Sequence, residues 1–216
     1  DDRPPSEEVA AAIAQSLGFP RSFFSQPDRV IGPGVGEIFH RRRKMSAKQL
    51  ESFNGWANIK IMAVRRMLSA IDWPEVNVPV LSLDIDVDTP EVAANVLRGR
   101  WYVPNGPVWS VSDLLDAAGI LVIPERFEHP EMDGMSVWLA DLPPIIFVNQ
   151  GMTQDRLRFT LMHEVGHLVL HQRSAIREVS GEIEGEAHRF ASAFLLPEPE
   201  VRPQLRNLSL SKLGDL

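Results

Sequence analysis

The sequence predicts an α+β fold in which a small β-sheet packs against helices. Apolar residues recur at helical spacing in the first half of the chain and again near its C-terminal end. Between them, apolar runs at residues 120–124, 134–139 and 145–148 have the length and composition of strands. A helical segment then carries the motif His163-Glu164-Val165-Gly166-His167. We expect this motif to hold the chemistry of the protein.

The composition narrows the class of protein. With 216 residues, 44% hydrophobic and 24% charged, the chain is predicted to be globular, as one good-sized domain or two small ones. It contains no cysteine, which excludes a disulfide framework and a thiolate zinc site. The net charge of −7 argues against a general nucleic-acid binder. No apolar run reaches membrane-spanning length and the N-terminal residues do not form a signal peptide, so we expect a cytoplasmic protein without a membrane partner.

Residues 1–75 are predicted to form a helical N-terminal region with an internal linker. The first helix is expected to begin after Pro4-Pro5-Ser6 and to end at Gly18. Its apolar positions follow helical spacing and are Val9, Ile13 and Leu17. Such a short helix has little surface to bury alone.

Glycine and proline concentrate at residues 25–45, which indicates the linker. The basic run Arg41–Lys44, with Lys48 beyond it, fits either contacts to DNA phosphates or a solvated face, and we favour the solvated face. Ser46 and Gln49 then form a capping box at the start of a long amphipathic helix, which is expected to end before Trp73-Pro74. The apolar side of this helix consists of Leu50, Phe53, Ala57, Ile61, Val64, Leu68 and Ile71.

Residues 76–216 are predicted to form the second domain. Thr89-Pro90 starts a helix, and a short helix at Ser112–Ala118 is closed by Gly119. The apolar side of the first of these helices is expected to be Val92, Val96 and Leu97. The runs at 134–139 and 145–148 are predicted to be paired strands joined by Asp141–Pro144.

The motif His163–His167 has the form H-E-x-x-H. Residues four apart lie on one face of a helix, so His163 and His167 can bind one metal ion while Glu164 reaches a water on that ion. Thr153 is expected to cap the helix, and Asp155 suits its positive end. Catalytic zinc usually has three protein ligands and one open position, so a third ligand is expected elsewhere in the fold.

Two parts of the sequence resemble the ImmA/IrrE-type zinc metallopeptidase family. The first is His163–His171, preceded by Ile145–Asn149 and Arg156–Phe159, and the second is Glu184–Pro197. The resemblance extends from about Leu83 to the end of the chain and implies a zincin-like domain that binds Zn²⁺. Family members typically continue past a segment like 208–216, so the domain is expected to be truncated at its C-terminus.

The N-terminal helix, with Phe23-Phe24 after it, also resembles the last helix of an XRE-type helix-turn-helix domain. The recognition helix that would precede it is not in this chain, so DNA binding is expected only through a domain that this chain lacks. The alternative is a simple packing helix.

The third zinc ligand is expected on the acidic helix that begins near Gly181, which offers Glu182, Glu184 and Glu186. Glu184 falls where the family resemblance implies the ligand. Four residues later the family usually has Asn or Asp, and this chain has His188, which is expected either to support the ligands or to lie at the surface rather than to be a ligand.

Several other residues have open roles. Glu186 is the alternative ligand. His171 could point into the cleft, or its position could reflect the favourable placement of a cation at a helix C-terminus. His171 and Tyr102 are the candidate oxyanion stabilisers. Gly166 is expected to let another segment approach the metal-binding helix closely.

The expected function is a zinc-dependent peptidase in which Glu164 is the general base. The family resemblance implies that the substrate is a regulatory protein such as a transcriptional repressor, in stress-response or toxin–antitoxin settings. The alternative is a transcription regulator or antitoxin whose peptidase-like domain senses a ligand or binds a partner without cleaving it. The presence of Glu164 favours the enzyme, because a sensor needs no general base.

Overall fold

The computed structural model describes residues 5–25, 47–83, 85–127, 132–172 and 181–203. These ranges contain α-helices, a three-stranded sheet and a short 3-10 helix at Arg21–Phe23, which confirms the α+β class. The helices are α1 (Glu7–Leu17), α2 (Ala47–Leu68), α3 (Pro90–Arg100), α4 (Val111–Ala117), α5 (Gln154–Leu170), α6 (Gly181–Leu195) and α7 (Glu198–Val201). The strands are β1 (Leu121–Glu125), β2 (Gly134–Val137) and β3 (Ile145–Asn149).

The sheet has the order β1-β3-β2 and is mixed. β1 runs parallel to β3, whereas β2 is antiparallel to β3, as the predicted pair of strands requires. The strand boundaries differ from the prediction by one or two residues. The amide of Ile120 donates to the carbonyl of Leu115 and so belongs to the end of α4. The carbonyl of Leu139 accepts from the amide of Leu142 in the turn, so β2 ends at Val137.

Helices cover both faces of the sheet. One face packs against the buried side of α2, in a cluster of Ala57, Ile61, Val64, Met135, Val137, Ile145 and Phe147. The other face contributes Ile146 and Val148 to the main core, which also contains buried residues of α3, α4, α5 and α6. The helical periodicity predicted for α2 is confirmed at Ala57, Ile61 and Val64. The side chains of Leu50 and Phe53 lie outside those that the structure describes. α2 ends at Leu68 rather than just before Trp73, and Ile71 is largely exposed.

Helix α3 begins as predicted but buries a different side. Thr89 caps it, since its hydroxyl accepts from the amide of Val92 at 3.3 Å. The prediction that Val92 and Val96 face the core is wrong, because both are 42% exposed. The buried residues of the helix are Pro90, Ala93, Ala94, Leu97 and Arg98. The small alanine side chains let α3 pack closely on its neighbours. The alanines therefore face the core, where the apolar pattern had predicted the valines.

The N-terminal helix α1 has the predicted boundaries. The hydroxyl of Ser6 accepts from the amide of Val9, and Gly18 ends the helix in a left-handed conformation with φ 69°. Most of the predicted linker, the basic run Arg41–Lys44 and the segment 208–216 lie outside the described residues. The helix-turn-helix remnant and the domain division near residue 75 stay predictions. In the described ranges, no helix combines the length and apolar character needed to cross a membrane.

Candidate metal centre

Helix α5 carries the H-E-x-x-H motif through the centre of the molecule. Every residue from Thr160 to Leu170 is buried, because α5 lies between the sheet and α6. The helix starts after Thr153 as predicted, but the Thr153 side chain does not cap it. Its hydroxyl instead hydrogen-bonds the Asp155 carboxylate, and this bond lowers the pKa of Asp155 below its ordinary value.

Helix α6 packs tightly against α5 at Gly166. A Cβ atom there would lie 3.1 Å from Cδ1 of Phe190, 3.2 Å from Cα of Ala187 and 3.3 Å from the Ala187 carbonyl oxygen. Two of these atoms belong to the backbone of α6, so the spacing of the helices depends on the missing side chain. The close approach predicted for Gly166 is confirmed. It brings Glu184, one turn before Ala187, next to the histidines of α5.

Three side chains converge between the two helices. Nε2 of His163 lies 3.1 Å from Nε2 of His167. The Glu184 carboxylate lies 3.4 Å from Nε2 of His163 and 3.6 Å from Nε2 of His167. Within the described part of the chain, these three residues form a group whose ligand atoms all lie within 4.8 Å of one another. Both histidines are buried, and Glu184 is half-buried.

The donor set fits a zinc ion. Two histidine nitrogens that each bind zinc at about 2.0–2.1 Å in tetrahedral geometry lie about 3.3 Å apart, close to the 3.1 Å between these two. The chemistry is also suitable, since two imidazoles and a carboxylate are the protein ligands of one common type of catalytic zinc site. Glu182 and Glu186, the other acidic residues considered from the sequence, are not members of this group.

Glu164 contacts strand β2. Its side chain is buried, and the hydroxyl of Ser136 on β2 donates a 2.8 Å hydrogen bond to its Oε2. Gly134 makes room for the contact, because a Cβ atom there would lie 3.4 Å from Cγ of Glu164 and 2.9 Å from Cγ2 of Thr160. Ser136 was not predicted from the sequence, since nothing near it in the chain marks it as a partner of α5. The candidate base therefore lies against the edge strand of the sheet.

The remaining candidates have distinct positions. His171 is buried just beyond the end of α5, where Nδ1 lies 2.9 Å from Nδ1 of His167 and Nε2 lies 2.9 Å from Oε2 of Glu186. Both of its ring nitrogens are thus engaged. His188 is exposed, and its ring packs edge-on against His163 at a centroid distance of 4.9 Å. Tyr102 is 91% exposed in a left-handed conformation after α3.

An α+β domain with two helical histidines and a glutamate gathered beside a buried glutamate is characteristic of zincin-like metallopeptidases. A comparison with protein families agrees, because residues 115–209 match the IrrE N-terminal-like domain, Peptidase_M78. The match confirms, over these residues, the resemblance to the ImmA/IrrE-type metallopeptidase family. The matched stretch contains all three strands, α5 and α6. No curated protein matches the chain by sequence.

Proposed function

We propose that the protein is a zinc-dependent peptidase that cleaves a peptide bond in a regulatory protein, such as a transcriptional repressor. The observation that supports this most directly is the convergence of His163, His167 and Glu184, with Glu164 beside them on the same helix. In this proposal the two histidines and Glu184 hold Zn²⁺, and Glu164 is a base rather than a ligand.

When bound, zinc lowers the pKa of a coordinated water toward neutrality and polarises the carbonyl of the scissile bond. Glu164 accepts the proton of the attacking water and delivers a proton to the leaving amine. The hydrogen bond from Ser136 orients the Glu164 carboxylate. Burial of the carboxylate supports this role, because a buried base is less solvated and better positioned.

The position of strand β2 supports the proposal that the substrate is a peptide. It lies at one side of the sheet, and no strand of the described residues pairs with its other edge. An extended segment could therefore add to the sheet through backbone hydrogen bonds. Because Ser136 of β2 touches Glu164, a peptide along this edge would pass close to the base. The repressor-like nature of the substrate and its expected cytoplasmic setting rest on the family resemblance.

The decisive variant is Glu164→Gln, which keeps the size of the side chain and its hydrogen bond from Ser136 but cannot accept a proton. We expect zinc content and folding to survive, and peptide cleavage to fall by roughly 100- to 10,000-fold. His163→Ala should remove zinc and cleavage together. Glu182→Gln is the matched control, since Glu182 is an exposed glutamate on α6 outside the ligand group, and it should change neither.

The assay uses a repressor encoded beside the gene as the first substrate and follows expression from its promoter in parallel. The peptidase function would be refuted if the Glu164→Gln variant regulates the promoter normally while the His163→Ala variant no longer does. The domain would then be a metal-dependent sensor or partner-binding module.

A further inference from the structure

We propose that His171 and Glu186 are positioning residues that fix the proton of His167 on Nδ1 and so leave its Nε2 unprotonated, as metal binding requires. The inference rests on the proposed metal site and extends it, because it concerns two residues outside the ligand group. It assigns a role to His171, just beyond the end of α5, and a second role to α6.

The two residues form a continuous chain of contacts with His167. Oε2 of Glu186 lies 2.9 Å from Nε2 of His171, and Nδ1 of His171 lies 2.9 Å from Nδ1 of His167. The side chain of His171 is only 2% exposed, that of His167 2%, and that of Glu186 12%. Water has little access to these three side chains. Each of the two contacts must therefore be a hydrogen bond whose hydrogen comes from one of the two side chains.

With both imidazoles neutral, donor and acceptor rules determine where the hydrogens lie. A carboxylate can only accept, so Nε2 of His171 donates to Glu186. In a neutral imidazole the other nitrogen is an acceptor, so Nδ1 of His171 accepts from Nδ1 of His167. His167, if neutral, consequently has a bare lone pair on Nε2, the atom that lies 3.1 Å from Nε2 of His163. The opposite arrangement would place a hydrogen on that atom and block metal binding.

The two candidate histidine ligands on α5, His163 and His167, differ in what their Nδ1 atoms contact. Nδ1 of His163 is buried and makes no hydrogen bond within the described residues. His163 is instead enclosed by rings, with His188 at 4.9 Å and Phe159 at 6.4 Å between centroids. His167 is therefore the imidazole whose orientation and proton are set by hydrogen bonds. Helix α6 contributes Glu184 to the metal group and Glu186 to this support, so both depend on the same packing against α5.

The first test is the tautomer of His167 in the metal-free protein. Long-range proton–nitrogen NMR of histidine-labelled protein distinguishes a hydrogen on Nδ1 from one on Nε2. We expect His167 to carry its hydrogen on Nδ1 and His171 on Nε2. His167 with its hydrogen on Nε2 would overturn the proposal, whatever the protein does with metal.

The second test is the zinc dissociation constant, measured by competition with a chelator. Removing a partner that orients a ligand typically weakens metal binding by roughly 10- to 100-fold, and we expect this for His171→Leu and Glu186→Ala. His171→Asn should bind more tightly than His171→Leu, because its amide oxygen can replace Nδ1 as the acceptor. Glu182→Ala, which removes an exposed carboxylate from the same helix, is the control and should bind like wild type.

Thermal unfolding of the metal-free variants separates positioning from loss of fold. Equal affinities for His171→Leu, His171→Asn and wild type would refute the proposal while leaving the metal site intact. If wild type itself binds no zinc, both this proposal and the proposed function are refuted.

Discussion

Gly166→Ala is the substitution that tests how closely the metal site depends on helix packing. The added methyl group would meet Ala187 Cα at 3.2 Å and the Ala187 carbonyl oxygen at 3.3 Å. These are backbone atoms that no rotamer change can move, so α6 must shift by a few tenths of an ångström. Glu184 shifts with it, since it lies one turn away on the same helix. The tolerance of metal–ligand distances is about 0.2 Å, so a shift of this size matters.

Two opposing effects determine the stability of this variant. Alanine in place of glycine inside a helix contributes roughly 1 kcal/mol of stability. Overpacking typically costs about 1–3 kcal/mol. The metal-free protein should therefore lose only about 0–2 kcal/mol. Zinc binding is affected differently, because it requires α6 to return to its original position and to restore the overpacked contact. If that contact opposes binding by about 1–3 kcal/mol, affinity falls by roughly 5- to 150-fold.

The assay is zinc competition together with denaturant unfolding of the metal-free protein. Gly185→Ala is the matched control, because it changes the same residue type on the facing helix, next to Glu184, and its Cβ would meet no atom within 4 Å. It should stabilise the protein slightly and leave zinc affinity unchanged. Wild-type zinc affinity in Gly166→Ala would show that the spacing of α5 and α6 does not govern the site.

Two further predictions concern residues that hold the helices around the site. Arg98 is buried and donates to the carbonyls of Phe194, Pro104 and Gly106. Arg98→Met should therefore cost at least about 3 kcal/mol in denaturant unfolding, since each of the three carbonyls left without its donor costs roughly 1–3 kcal/mol. A loss below about 1 kcal/mol would contradict this. Arg189 donates two hydrogen bonds to Glu91 and so lowers the pKa of Glu91 below its ordinary value of 4.5, and because both are partly exposed, Arg189→Gln should cost only about 0.5 kcal/mol at neutral pH. A carboxylate whose pKa is lowered in the folded state stabilises the fold at pH values above its ordinary pKa, and this stabilisation is lost as the pH falls through the lowered pKa. The difference in stability between Arg189→Gln and wild type should therefore vanish in acid. A difference that persists there would refute the assignment.

The elements that the sequence predicts well are those with local signals. Ser6 caps α1, Thr89 caps α3, and Gly119 ends α4 with φ 74°, as predicted from residues within one turn of each boundary. The H-E-x-x-H motif is equally local, because the spacing of His163 and His167 is set by one helical turn. Helix type and position therefore followed from short stretches of sequence.

Features that depend on distant contacts could not be predicted in this way. Val92 and Val96 fit the apolar pattern of α3, yet the side that α6 covers is the one with alanines. The contact of Ser136 with Glu164 joins residues 28 apart in the chain. The pattern of α6 alone also left Glu184 and Glu186 open as ligands. Only the packing of α6 on α5 brings one carboxylate to the two Nε2 atoms and the other to His171.

The position of β2 at one side of the sheet has a consequence for how a target protein would be selected. A segment can pair with this edge only when its own backbone hydrogen bonds are broken, so a folded target must first open locally. The cleavage rate would then scale with the fraction of time that the segment is open, and each 1.4 kcal/mol of local stability would slow it about tenfold. A signal that loosens the target by a few kcal/mol could therefore switch its degradation without any change in the peptidase. The regulatory input would lie in the fold of the substrate.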